Sequence, residues 1–315
     1  MALLRRLADL ALVIVVQSFM LLQVGVFYVL LHFRSHNLRR VLPWVATTAS
    51  SPAPATTSSV SLLPRTVSVI IPVYNEARVV GRCLRALAVG AIERERLEII
   101  IVDGGCNDAT MEAVSEAAAE LSLTLHTASA RGGRGPSIVA GVAVATGDAV
   151  LMLHADTTLP AGWDGAILAA LADPSVAMTA FSFGTDRAQL AHPEAPPAGL
   201  SLMEWTVNCR SRWFELPFGD QALAIRRTLL DEVGGFPPVP ILEEYLLVNT
   251  LRARCAAGRG RILTLDAPAL CSPRRWERSK IWRINAVNQA VMLWHRWGAT
   301  PEQIFEFYYG MPVTR

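Results

Sequence analysis

The chain has 315 residues, a formal net charge of +2 at neutral pH and 52% hydrophobic residues. That length suits one large domain or two small ones, and so balanced a charge gives no footing for a nucleic-acid partner. Five scattered cysteines, Cys83, Cys106, Cys209, Cys255 and Cys271, lack CxxC spacing and read as free thiols, excluding a disulfide framework and a zinc site.

Residues 10–31 carry no charge. About 20 apolar residues suffice to span the hydrocarbon core as a helix. A cleaved signal peptide would have an apolar region of about 7–15 residues and a small-residue cleavage site, whereas here basic residues follow. The expectation is an N-terminal anchor over 1–40 with a single transmembrane helix, and a membrane location. Arg5 and Arg6 before the span, and Arg34, Arg39 and Arg40 after it, lean toward a cytosolic catalytic part. The stretch ATTASSPAPATTSSVS at 46–61 leans the other way, toward a stalk in the ER or Golgi lumen. No N-x-S/T sequon decides between them. The linker is assigned to 41–65 and the catalytic domain to 66–315.

Beyond the linker the pattern alternates. TVSVIIPV at 66–73 is β-branched and almost continuously apolar, as in a strand buried on both faces. A helical stretch follows from Asn75 and Glu76 to Leu87. Leu97–Val102 is a second buried strand, and Asn107 or Asp108 can cap a helix through Leu121. Leu123–Thr127 reads as a third strand. After the glycine-rich RGGRG come a helix from about Pro136 to Ala145 and a fourth strand, Ala149–Leu153. Such β-α-β repetition predicts an α/β fold: a mostly parallel sheet with helices on both faces. Ligands bind such sheets outside the carboxyl ends of the strands. Three strand ends carry polar groups: Tyr74-Asn75-Glu76, Asp103-Gly104 and His154-Ala155-Asp156.

SVIIPVYNEARVV at 68–80, IIVDGGCNDAT at 100–110, HAD at 154–156, PFGDQALAIRR at 217–227, GGFPPVPILEE at 234–244 and RRWER at 274–278 together resemble the family 2 glycosyltransferases of the Rossmann-like GT-A fold. Their order and spacing are similar to those of the rSAM/selenodomain-associated transferase 2 subgroup. The resemblance covers about residues 66–309. It implies transfer of a sugar from a nucleotide-diphosphate donor, a UDP- or GDP-sugar, with inversion and with help from Mg²⁺ or Mn²⁺. The acceptor, membrane-associated if the enzyme is anchored, does not come with the family. Alternatives are a non-catalytic or degenerate nucleotide-sugar-binding relative and, less well matched, a nucleotidyltransferase. The latter would carry a Gly- and Lys-bearing loop where this chain has PVYNEAR.

Residue by residue, Asp103 can accept hydrogen bonds from a base or ribose, and Pro72, Tyr74, Glu76 and Gly104 line the strand ends where the family binds the nucleotide. Core packing is the competing role for Tyr74. Asp156 is the metal candidate, since hard Mg²⁺ or Mn²⁺ takes carboxylate and phosphate oxygens. His154 occupies the first acid position of the usual D-x-D and is either a second ligand or a packing residue. Arg131 and Arg134 offer planar donors to phosphate, their competing role being a solvated turn. Glu244 stands where the family has its Asp base, with Glu243 and Asp220 as further candidates. The apolar stripe 284, 287, 291 and 294 predicts a C-terminal helix, packed on the core or lying at a membrane interface.

Overall fold

The computed structural model describes residues 2–33 and 63–313, and side chains of the N-terminal helix over 7–23. Eight strands, β1 (Val67–Val73), β2 (Leu97–Asp103), β3 (Leu125–Ser129), β4 (Ala149–Met152), β5 (Thr157–Thr158), β6 (Val176–Thr185), β7 (Leu223–Arg226) and β8 (Arg261–Cys271), form one sheet in the order β3-β2-β1-β4-β7-β6-β8-β5. The first half is parallel, β3-β2-β1-β4. The second is mixed: β7 runs antiparallel to β4 and β6, while β6 and β8 are parallel. The expected mostly parallel sheet is therefore a mixed one.

The apolar runs form central strands because both faces are covered. Val67, Val69, Ile71, Ile99 and Ile101 point into one core with α2 (Val80–Gly90), α3 (Thr110–Leu121) and α5 (Trp163–Leu171). Ile70, Ile100 and Val102 point into the other, with α4 (Arg134–Val144), α7 (Arg227–Glu232) and α8 (Glu243–Ala256). This is the period-two alternation of a strand with an apolar environment on each side. Buried Ser68 keeps its hydroxyl satisfied, donating to Glu98 and accepting from the Gly147 N–H.

Helix α2 starts later than expected. Asn75 adopts a positive φ of 57°, and its side-chain oxygen accepts from the Asn107 N–H at 3.0 Å. The Glu76 N–H donates to Thr110 Oγ1 at 2.8 Å. Those bonds hold 74–79 as a loop tied to the end of β2.

The N-terminal helix α1 (Ala2–Phe33) lies against α6 (Leu200–Phe214), α8 and α10 (Ile281–Arg296). Val13, Gln17 and Met20 are buried there, and Asp9 accepts from Lys280 and Trp282. The expected single transmembrane helix is not borne out: residues 10–31 lie in α1, whose Val13, Gln17 and Met20 are buried against the protein, and among the described residues no helix is long and apolar enough to cross a membrane. The basic residues at 34–40 and all but the last three residues of the expected linker lie outside the described residues. All five cysteines are free, as expected. The C-terminal stripe is a helix, α10, with Ile281 and Val291 buried and Trp294 still 39% exposed. It packs on α1 and on α11 (Pro301–Tyr309).

Candidate active site

Parallel register fixes where the first three acids stand. Val73 pairs with Asp103, and Ile70 with Met152, so β1, β2 and β4 end on one edge of the sheet. The Leu153 N–H extends that alignment by donating to the Ile70 carbonyl. Glu76, Asp103 and Asp156 therefore share the carboxyl edge, as the β-α-β reading expects.

Asp103 closes its own turn. Its Oδ1 accepts from the N–H groups of Cys106 (2.8 Å) and Gly105 (2.9 Å). These bonds, the Cys106 N–H above all, hold the carboxyl below its ordinary range against the effect of burial, with Arg131 adding a smaller attraction. Gly104 is a close-approach position: a Cβ there would sit 3.0 Å from the Val73 carbonyl oxygen. Tyr74 is 56% exposed at the strand end, so it does not pack in the core. Pro72 is partly buried within β1, and Arg131 is exposed above Gly105.

The RGGRG loop uses its glycines against protein. A Cβ at Gly133 (φ 101°) would overlap Pro240 backbone atoms, and one at Gly135 would overlap Val239. The Arg134 N–H donates to the Pro240 carbonyl at 3.2 Å. So the loop is clamped to the GGFPPVP segment, and Arg134 is directed to the second half of the chain. Its Nε donates to Glu243 Oε1 and its Nη2 to Glu244 Oε2, the latter at 3.1 Å.

Leu242, just before α8, has a φ of 68°, a strained value for a non-glycine residue that swings both glutamates into the site. Glu243 is fully buried and Glu244 is 5% exposed. His154 Nε2 lies 3.2 Å from Glu244 Oε1, so its ring addresses the glutamate. Burial pushes Glu243 well above the ordinary carboxyl range, with its neighbour Glu244 adding to that. Burial acts on Glu244 in the same sense, but Arg134 and the His154 hydrogen bond outweigh it and hold Glu244 low, as a carboxylate. Burial also opposes the charge on Arg134, and the two glutamates more than restore it.

Asp220 sits in a 3-10 turn, Gly219–Gln221. Burial raises its pKa, and its Oδ1 is buried without a hydrogen-bond partner. The turn is fixed by Gln221, whose side chain accepts from Arg210 and donates to Ser211 Oγ and the Phe181 carbonyl.

Asp156 Oδ2 accepts from Arg274 Nη2 at 3.1 Å, and the same guanidinium grips Glu76. Arg274 lies in the RRWER motif but was not among the residues the sequence pointed to; the signal available was that paired arginine just past a long strand. Two carboxylates already converge on a cation here, so the donor chemistry fits a hard divalent ion. Among the described residues no cluster of three or more His, Cys, Asp or Glu side chains is arranged to hold a metal. An ion at Asp156 would therefore need phosphate oxygens from a ligand to complete its shell.

The family model described as glycosyl transferase family 2 matches residues 68–236, more than half of the chain. The chain belongs to glycosyl transferase family 2. Undecaprenyl-phosphate 4-deoxy-4-formamido-L-arabinose transferase of Pectobacterium atrosepticum is 37% identical over 99 residues, 30% of each chain. Glycosyltransferase AglE of Haloferax volcanii is 46% identical over 46 residues, 15% of each chain. These matches span only a minor part of those relatives. Among solved structures, the mannosyltransferase PcManGT from Pyrobaculum calidifontis, in complex with GDP-Man and Mn²⁺, superposes with a TM-score of 0.54 at 23% identity, over 90% of this chain and 74% of that one. At that identity the likeness speaks to the fold, which is GT-A-like.

Proposed function

We propose that this family 2 glycosyltransferase moves a sugar, with inversion, from a UDP- or GDP-sugar to an acceptor hydroxyl. The observation that carries this is the meeting of two half-sites. Glu76, Asp103 and Asp156 stand at the parallel strand ends, and Glu244, at the start of α8 beneath the Gly219 turn, meets that edge at His154. The nucleotide would lie along Pro72, Tyr74, Gly104 and Asp103. Asp156 would hold Mg²⁺ or Mn²⁺, which when bound neutralises diphosphate charge.

Glu244 is the general base in this scheme. Glu243 has no exposed surface, and burial holds both Glu243 and Asp220 toward the neutral form. Glu244 is ionised and takes the acceptor proton. The acceptor oxygen attacks the anomeric carbon, and the nucleoside diphosphate leaves with the bonding electrons. Arg134 and His154 orient the carboxylate. A substrate that loosens their grip raises its basicity.

Membrane attachment belongs to the same proposal. Leu12, Val15, Phe19 and Leu22 are exposed on α1, an apolar surface that suits lipid, with the helix anchoring the enzyme near a membrane-associated acceptor. The motif order favours the rSAM/selenodomain-associated transferase 2 subgroup. The test is nucleotide release from a panel of UDP- and GDP-sugars with Mn²⁺. The proposal expects release from at least one donor, reduced about 100-fold or more in Glu244→Gln. Equal turnover in that variant would remove Glu244 from the mechanism.

A further inference from the structure

Arg274 is the first residue of a short helix, α9 (Arg274–Arg278), directly beyond β8. Its place is set by backbone. The Ser272 N–H donates to the Asp156 carbonyl at 3.0 Å, and Cys271 pairs with Thr157. From there the guanidinium spans two strand ends. Nη2 donates to Glu76 Oε1 at 2.7 Å and to Asp156 Oδ2 at 3.1 Å, and Nη1 lies 2.6 Å from Glu76 Oε2. The three side chains are partly open, 35%, 22% and 26% exposed respectively for Arg274, Glu76 and Asp156. A ligand can therefore reach all of them.

Building on the donor site proposed above, we propose that Arg274 is an internal counter-cation which competes with the divalent ion for Asp156 and passes to the donor's diphosphate when nucleotide and metal enter together. A divalent ion arriving alone meets a positive charge already seated on the Asp156 carboxylate, and like charges at that separation repel. A diphosphate removes the conflict. It supplies oxygens to the metal and a new anionic partner to the guanidinium, whose planar fork suits phosphate. Metal and nucleotide then bind cooperatively, each raising the affinity of the other by the same factor. The metal-loaded, nucleotide-free enzyme is disfavoured, so ion and donor enter as one.

The test is Mn²⁺ binding to the full chain, read from the free-ion electron paramagnetic resonance signal, alone and with UDP or GDP, alongside calorimetric nucleotide titrations. For Arg274→Gln the expected result is about ten-fold tighter Mn²⁺ binding without nucleotide, about ten-fold weaker nucleotide binding with Mn²⁺, and loss of most of the coupling. Arg274→Lys keeps the charge but loses the two-pronged grip. It should fall between the two, and it carries the test by itself if the glutamine variant does not fold. Unchanged Mn²⁺ affinity without nucleotide in the folded variants overturns the proposal. If the wild type still shows Asp156-dependent binding of nucleotide and Mn²⁺, the donor site survives that result. Absence of any nucleotide or Mn²⁺ binding to the wild type overturns both.

Discussion

Gly219 is packed so tightly over Glu244 that a Cβ at this position would overlap Glu244 Oε1 and lie 2.7 Å from His154 Nε2. The 3-10 turn thus roofs the glutamate–histidine pair, and the residue at 219 has to lack a side chain for the carboxylate to keep its place. Gly219→Ala should leave the circular dichroism spectrum intact and lower turnover about ten-fold or more, since small displacements of a base are costly. Turnover at the wild-type level would show that the pair is not held for catalysis.

The roof depends on Gln221. Its buried amide bonds Arg210, Ser211 and the Phe181 carbonyl, and the Arg210 guanidinium lies 3.6 Å from the centroid of the Phe218 ring. Gln221→Ala removes these buried hydrogen bonds, leaving Ser211 only its bond to Thr264 and Arg210 its bond to the Leu216 carbonyl. A loss of about 2–4 kcal/mol in urea unfolding is expected, whereas a change within experimental error would mean the turn is fixed by other contacts.

The two glutamates of α8 make opposite contributions to pH-dependent stability. Glu243 has its folded pKa raised above the ordinary 4.5, so between that value and its folded pKa the folded state binds a proton that the unfolded state has released. Stability then falls with rising pH through that window, with a slope of up to about 1.4 kcal/mol per unit. Glu244, held below 4.5, acts only on the acid side, where its contribution is lost as pH falls toward its folded pKa. Glu243→Gln mimics the neutral acid. Unfolding free energies at pH 5 and pH 7 should differ less in this variant than in the wild type. Parallel profiles would place the proton elsewhere.

Much of the first half of the fold was readable in the sequence, because β1, β2 and β4 are buried on both faces and leave uninterrupted apolar runs. The third strand lies at Leu125–Ser129, not Leu123–Thr127, because Ser122 closes α3 in the left-handed region before the chain can extend. The strands of the second half were not read. β8 crosses Asp266 and Pro268 with a shift in register against β6, which breaks any simple alternation. At the site, the candidacy of Asp156 and Arg134 was legible from residue type, and that of Glu244 from the family resemblance. The pairing of Arg134 with both glutamates was not, since 109 residues separate Arg134 from Glu243 and only the close approach at Gly133 and Gly135 joins them. Gly133 and Gly135 of RGGRG leave room for the Pro237–Pro240 backbone.

Helix α1 is tied to the rest of the fold through Val13, 1% exposed among Phe183, Leu200, Met203 and Ile281. Val13→Ala should cost about 1–2 kcal/mol in global unfolding of the full chain. An unchanged midpoint would show that α1 and the domain unfold independently.

The most direct test of the donor site is a titration of the full chain with UDP and GDP, with and without Mn²⁺, comparing wild type with Asp156→Asn. The site described here predicts binding of one nucleotide that is strengthened by Mn²⁺ in the wild type, with that strengthening abolished in the variant. Binding of equal strength and equal metal dependence in both proteins would contradict it.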